Sequence, residues 1–455
     1  MENKLTYIFL CSLLPTKPQH DKLKSAEGAK LISALAHKHS IPVTWILDGE
    51  SAQEVKDIIS YGHSEFGDDV VIMIDPSIIF DEIGFIPSSK AEETVILRQR
   101  LPELIISEQK KVKSVLSWSD GRIIGSNFKS SAVIQILDEL DCMGLYGYRW
   151  EDETSDKGCP WSFFFASKDH YNIPSSSVSR IVAIERSSLD LNAVFHTNNP
   201  SVFSANPKSL WLSGLCSDED NSYAKMLFDE YIKNSQWNRF LAFVQELNAY
   251  DMEYASYDVY DRGTIARLAK LTDSFFSEVE SNQQVQAFSL SDAINLYKGN
   301  FNRTEACYMI FDSVIPQQTE INFFLPPEPK RRPPYPLMFF YYDSECHLVF
   351  REGQMTPVEV RNYAQPPFES RYYVERDIPT ISRFYPSRDR EKLIMEFEIE
   401  STKSMPYGLV IWDDHSMFNL VSSTARTVKW IGKTLLFMRL DLNDGLNRVE
   451  IILSI

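Results

Sequence analysis

The sequence predicts an α/β protein in two parts: a (β/α) barrel of seven to eight units over residues 1–303, then an all-β sandwich over residues 304–455. Three observations predict it. Short apolar runs alternate with amphipathic, helix-period segments through the first part. Helical periodicity then stops and short runs of β-formers take over. No Gly-rich phosphate loop follows any of the early strands, which argues against an open doubly wound sheet. At 455 residues and 52.5 kDa the chain has room for both parts.

The elements follow in order. Leu5 to Leu14 is mostly apolar and reads as a buried first strand; Glu2 before it and Pro15 after it argue against a signal peptide. Ser25 to His39 places Ala29, Ile32, Leu35 and Ala36 at helical spacing. Pro42 ends the turn, and Val43 to Leu47 is apolar on both faces, as in a parallel strand covered by helices. Glu54 to Tyr61 reads as a short helix, Val70 to Ile74 as a strand and Glu92 to Val115 as a long amphipathic helix. Ile123 to Gly125 reads as a strand and Ser130 to Leu140 as a helix. Leu145 to Tyr148, Ile181 to Ile184 and Phe240 to Gln245 complete seven strands, with helices over Ser222 to Lys233, Tyr260 to Glu280 and Ser289 to Lys298.

Beyond residue 303 the strand-like runs are Cys307 to Phe311, Ile321 to Leu325, Leu337 to Tyr342, Leu393 to Ile399, Gly408 to Trp412, Thr434 to Leu440 and Val449 to Leu453. Met395-Glu396-Phe397-Glu398-Ile399-Glu400 alternates with period two, the signature of a half-exposed strand. Residues 326–336 hold the densest proline run and read as an extended surface loop.

The chain carries 63 acidic against 46 basic side chains, a net charge of −17. Residues 331–455 contribute 16 basic and 17 acidic groups, so the excess belongs almost entirely to the barrel part. That balance argues against nucleic acid and against an anionic membrane face, both of which need clustered Lys and Arg. No apolar stretch reaches the ~20 residues of a membrane span. The six cysteines are scattered with no C-x-x-C pair, which fits reduced thiols and a cytoplasmic location.

In a parallel barrel the active site lies at the carboxyl ends of the strands, so the polar residues just after each strand are the candidates. These are Asp48 and Glu50, Asp75, then Arg149, Glu151, Asp152 and Glu153, then Glu185 and Glu246. Carboxylates in these places also cap helices. Paired carboxylates suit glycosidic chemistry, one giving a proton to the leaving oxygen and the other attacking or activating water. Asp48 and Glu246 are the expected acid/base pair, and their carboxyls must lie within about 10 Å for that pairing. His63 sits in Gly62-His63-Ser64-Glu65-Phe66-Gly67-Asp68-Asp69, read as a Gly-punctuated loop with an imidazole beside three acids. The densest aromatic segment runs from Tyr146 through Tyr148, Arg149, Trp150 and Glu151 to Trp161. Aromatic faces there can stack on sugar rings while Arg and carboxylates bind hydroxyls; a packed aromatic cluster is the plainer reading. His63, Asp75, Tyr148, Arg149, Trp150, Glu151 and Trp161 are the expected substrate-binding residues. The absence of a Gly-x-Ser-x-Gly elbow argues against a serine hydrolase of that type.

Ile41-Pro42-Val43-Thr44-Trp45-Ile46-Leu47-Asp48 and Ile58-Ile59-Ser60-Tyr61-Gly62-His63-Ser64 resemble the second strand and the Gly-His loop of the glycoside hydrolase/deacetylase (β/α)-barrel superfamily, which includes the polysaccharide deacetylases. The resemblance covers residues 1 to about 300 and implies a barrel acting on carbohydrate, followed by a β sandwich. It also implies a metal site built from Asp and two His at His-x-x-x-His spacing. Here Gly67 stands four residues after His63, and Leu5 to Leu14 lacks the paired Asp, so no metal or other cofactor is expected. The leading expectation is a hydrolase acting on a glycan or amino sugar. The alternatives are a non-catalytic carbohydrate-binding or scaffold protein, and a metal-dependent deacetylase without the usual second His. The expected partner is a small carbohydrate, and a homo-oligomer is compatible with the sequence.

Overall fold

The computed structural model describes residues 3–15, 26–126, 130–148, 163–168, 175, 178–185, 217, 220–253, 262–305, 308–311, 322–323, 338–343, 348–351, 354–357, 380–389, 391–412, 418–431 and 435–455. The chain divides into two compact units, the first running to Cys307 and the second starting at Tyr308. Among the described residues no helix is long and apolar enough to cross a membrane.

Among the described residues the first unit is built on one nine-stranded sheet. Its strands are β1 (Leu5–Ser12), β2 (Val43–Leu47), β3 (Asp69–Met73), β4 (Ile123–Gly125), β5 (Gly144–Tyr148), β6 (Phe163–Phe165), β7 (Val182–Glu185), β8 (Ala242–Asn248) and β9 (Val285–Phe288). The order across the sheet is β6-β7-β5-β4-β3-β2-β1-β8, with every pairing parallel except β6 against β7. The seven expected strands are all present. Two others were not expected, the three-residue β6 and the short β9. β9 shares one edge of β1 with β2: Leu5 to Ile8 pair with Val285 to Phe288, and Phe9 to Ser12 with Val43 to Ile46.

Helices α1 (Ala26–Lys38), α2 (Gly49–Glu54) and α3 (Lys56–Phe66) follow β1 and β2. The long segment Lys90–Val115 is helical throughout, with Pro102 inside it. β1 is buried on both faces, as its unbroken apolar run requires. Its outward Tyr7 packs on Phe228 and Phe275 of the covering helices Ser222–Ser235 and Arg262–Ser281, and Phe9 meets Phe276 edge-on at 4.8 Å. The alternate positions Ile8 and Leu10 join Ile46, Val71, Ile123, Tyr146, Ile184 and Val244 in a single inner core. Helix Leu290–Asn300 packs into that core through Leu290, Ile294 and Tyr297. Its first turn is anchored to the sheet: the Leu290 amide donates to Thr44 Oγ1 and the Ser291 amide to Asp69 Oδ2, both at 3.0 Å. A carboxylate there also meets the positive end of the helix dipole.

In the second unit all the described strands pair antiparallel, in an eight-stranded and a four-stranded sheet. The strand Lys392–Ser401 buries Met395, Phe397 and Ile399 and turns Glu396 and Glu400 outward, as the period-two pattern predicts. Those residues join Val449, Ile451 and Leu453 of the same sheet, and Tyr407, Leu409, Ile411, Leu436 and Met438 of the other, in one core. The proline-rich residues 326–336 lie outside the described residues.

Candidate functional site

The sheet of the first unit curls on itself. In its order β5 and β8 are separated by β4, β3, β2 and β1. Flat strands about 4.8 Å apart would hold them roughly 24 Å from each other. Yet the Tyr146 hydroxyl of β5 donates to the Glu246 carboxylate of β8 at 2.6 Å. Phe163 of β6 similarly meets Phe240, just ahead of β8, with ring centroids 5.1 Å apart. The concave face is apolar through its depth, with Glu246 near the carboxyl ends of the strands.

The sequence places Glu246 on this face by period two. Ala242 and Val244 precede it in the inner core, and Asn248 follows it. The residue is 8% exposed. Asn248 turns the chain away from the mouth: its Nδ2 donates to the Leu14 carbonyl and its Oδ1 accepts the Tyr250 amide, both at 2.9 Å. Ser12 lies opposite Asn248 in the β1–β8 ladder. Among the described residues the candidate site thus holds a buried carboxylate, a phenol donating to it, and short polar side chains beside it.

Asp48 does not join Glu246. Leu10 pairs with both Glu246 and Thr44, so Glu246 lies level with a residue four positions before Asp48. At ~3.3 Å per residue that is about 13 Å along the strands, with two strand spacings between them as well. The Asp48 carboxylate is engaged instead as the N-cap of α2. Its Oδ1 accepts from the Ser51 amide and Ser51 Oγ, both at 2.8 Å, while Ser51 Oγ accepts from the Asp48 amide at 3.0 Å. Asp75 is at the carboxyl end of β3, exposed, and accepts the Ser77 amide at 2.9 Å at the start of the next helix.

His63 stands elsewhere. Residues 62–66 are not a loop but the last turn of α3, which Gly67 ends in the left-handed conformation at φ 78°. His63 therefore precedes β3 at the amino-end face, opposite the end that carries Glu246. Its ring stacks on Trp118 at 3.7 Å, and its Nδ1 donates to the Asp68 carbonyl at 2.7 Å. Tyr148 ends β5 at the carboxyl end. Arg149, Trp150, Glu151 and Trp161 lie outside the described residues, as do Asp152 and Glu153.

Three features were not read from the sequence. The first is Tyr146 as the partner of Glu246; only its place in an aromatic segment was visible. The second is Asp68, whose fully buried carboxylate accepts from His37 Nε2, the Val43 amide and Trp45 Nε1 at 2.8, 2.9 and 2.8 Å. Gly62 is required beside it, because a Cβ there would stand 2.1 Å from Asp68 Oδ2. The third is Glu253, 8% exposed just past β8, whose Oε2 has no hydrogen-bond partner among the described residues. Burial, then the charges of Glu27 and Glu54, push its carboxyl up to about 7, against the lowering effect of the Gly28 amide.

Among the described residues no group of three or more His, Cys, Asp or Glu is arranged to hold a metal ion. The described thiols, Cys11 and Cys142, are buried, and burial raises both, Cys142 to about 12, which makes them poor nucleophiles.

No protein-family model matches the sequence, and no curated protein matches it. Solved structures do match. A Mycobacterium smegmatis chain assigned to the polysaccharide deacetylases is 10% identical with a TM-score of 0.41, over 67% of this chain and 94% of its own. The peptidoglycan deacetylase PdaC of Bacillus subtilis is 9% identical with a TM-score of 0.32, over 66% and 94%. A 4-alpha-glucanotransferase of Thermococcus litoralis is 7% identical with a TM-score of 0.36, over the whole of both chains. Polysaccharide deacetylases, members of the superfamily that the strand and Gly-His motifs resemble, thus stand among the solved structures that match this chain.

Proposed function

We propose that the protein is a carbohydrate-active hydrolase that works at the carboxyl-end face of the curled sheet on a glycan or amino sugar. The observation that carries this reading is the Tyr146–Glu246 hydrogen bond across the concave face. A buried carboxylate held by a phenol above an apolar core is kept in one orientation and largely shielded from water. Both are useful for proton transfer to or from a sugar oxygen. Glu246 is the catalytic carboxylate in this reading and Tyr146 positions it. By residue type Arg149, Trp150, Glu151 and Trp161 are assigned sugar stacking and hydroxyl binding in this reading, and Asp75 stands at the carboxyl-end rim. Asp48 supports the rim as a helix cap. In this reading the curled sheet is the wall of a (β/α) barrel and the second unit is a β sandwich.

The second reading, a non-catalytic carbohydrate-binding protein, is favoured by one observation: Asp48, the expected partner carboxylate, is spent as a cap and lies far along the ladder from Glu246. One experiment separates the two. The full chain is screened against a broad panel of glycans and N-acetylated sugars for both thermal stabilisation and product release. Turnover that Glu246→Gln lowers by at least about a hundredfold, with binding retained, supports the hydrolase. Stabilisation without turnover supports the binding protein, and neither effect on any sugar removes both.

A further inference from the structure

We propose that Ser33 is the nucleophile of a second site, on the outer surface of the first unit, that hydrolyses small acyl esters. An open surface groove of about 580 Å³ lies between α1 and α3, and Lys30, Ser33, His37, Ile58, Tyr61 and Phe66 line it. That volume is within the usual range for small-molecule sites.

The groove wall contains a three-member relay. Ser33 Oγ lies 3.2 Å from His37 Nδ1, and His37 Nε2 lies 2.8 Å from Asp68 Oδ1. The direction of the relay follows from Asp68. Its carboxylate also takes the Val43 amide and Trp45 Nε1, so it acts as acceptor throughout and His37 Nε2 carries the hydrogen. The neutral ring then presents a lone pair at Nδ1, and the Ser33 hydroxyl donates to it. A hydroxyl donating to an imidazole that donates to a buried carboxylate is the arrangement of an activated serine, recognised by geometry and roles and not by chain order. Ser33 lies on a helix and is 7% exposed where it lines the groove, and the missing strand-to-helix elbow does not bear on it.

The base is held firmly. The His37 ring lies flat on Phe66, with centroids 4.0 Å apart and an interplanar angle of 1°. Ser33 follows Lys30 by three residues on α1, so both lie on one helix face. Lys30 has no ion-pair partner among the described residues and can meet the oxyanion that develops on the ester carbonyl.

The chemistry balances without a cofactor. Ser33 Oγ attacks the carbonyl carbon and its proton passes to His37 Nδ1. The carbon–oxygen bond to the alcohol breaks, and the alcohol leaves with that proton. Water, deprotonated by His37 Nδ1, then attacks the acyl-serine. The carboxylic acid is released and the proton returns to Ser33.

The test treats the full chain with a fluorophosphonate probe and maps the adduct by peptide mass spectrometry. p-Nitrophenyl acetate hydrolysis is measured in parallel. The expected result is one adduct on Ser33, absent in Ser33→Ala although that variant melts as the parent does, and labelling at least about tenfold slower in His37→Asn. An unmodified Ser33 in the parent protein overturns the proposal whatever the variants do. So does labelling of Ser33 at an unchanged rate in folded His37→Asn, or ester hydrolysis that survives in Ser33→Ala.

Discussion

Tyr146 and Glu246 are 100 residues apart in the chain and four intervening strands apart in the sheet, yet they share a hydrogen bond of 2.6 Å. The bond spans the concave face and joins two strands that no backbone ladder joins. Tyr146→Phe keeps the ring in the inner core and removes only the donor to a buried carboxylate. The expected cost is about 1–3 kcal/mol, read as a fall in melting temperature of a few degrees. Where a substrate is found, kcat should fall by about tenfold or more in the same variant, with a smaller change in KM. An unchanged melting temperature would mean that the bond is not what holds the concave face together.

Asp68 organises the amino-end face, and its loss should be among the costliest single changes in the first unit. Asp68→Ala leaves the Val43 amide and Trp45 Nε1 as buried donors without their acceptor and His37 without its partner. A loss of about 3–5 kcal/mol is expected, measured by denaturant unfolding. Gly62→Ala drives a methyl group against the same carboxylate, so it should destabilise the parent strongly. It should cost much less in an Asp68→Ala background, where the obstructing carboxylate is gone. The double-mutant cycle measures that difference, and simple additivity would show that the two sites are not in contact.

Asp68 and Gly62 also show where reading the sequence stops. The seven central strands were legible because runs such as Val43 to Leu47 are apolar on both faces. β6 was not read although the equally short β4 was, and β9 was missed because Gln286 interrupts an already short run. Gly62 and Gly67 looked alike, as the punctuation of a loop around His63. Gly67 does end a helix, but Gly62 lies inside it and is there to make room for a carboxylate six residues later. Such a requirement is set by tertiary proximity and leaves no periodic trace. The candidate site divides the same way. That Glu246 follows an inward-facing strand could be read from alternation. Its donor could not, because Tyr146 reaches it only through the curl of the whole sheet. Asp48 was legible as a carboxylate at a strand end, a position that serves catalysis and helix capping equally, and the local Ser51 decides for the cap.

Glu253 gives the fold a defined pH dependence. Its carboxyl is raised from 4.5 to about 7, first by burial and then by Glu27 and Glu54. The folded state therefore binds more protons than the unfolded chain between those values, so this residue's contribution to stability falls as pH rises from about 4.5 to 7 and is level above. The whole loss is on the order of 3 kcal/mol. Glu253→Gln keeps the shape without the charge. Its melting temperature relative to the parent should rise steadily across that window, with the largest advantage at pH 8. A difference that does not change with pH would place the titration elsewhere.

Tyr407 poses the opposite case to Tyr297, and the same substitution should change stability with opposite sign at the two. Tyr407 is fully buried in the second unit, and its hydroxyl has no hydrogen-bond partner among the described residues. Burial pushes that hydroxyl well above its ordinary range, so it stays protonated and unsatisfied. Replacing both ends of an unmade hydrogen bond with carbon is close to neutral or favourable, whereas leaving a donor unpaired is costly. Tyr407→Phe should therefore stabilise the second unit by about 1 kcal/mol. Tyr297 is equally buried, but its hydroxyl accepts the Glu305 amide at 3.1 Å. Tyr297→Phe leaves that amide without its acceptor and should destabilise the first unit by about 1–2 kcal/mol. Denaturant unfolding of the two variants reads both signs, and a loss of stability in Tyr407→Phe would mean that its hydroxyl has a partner after all, an ordered water included.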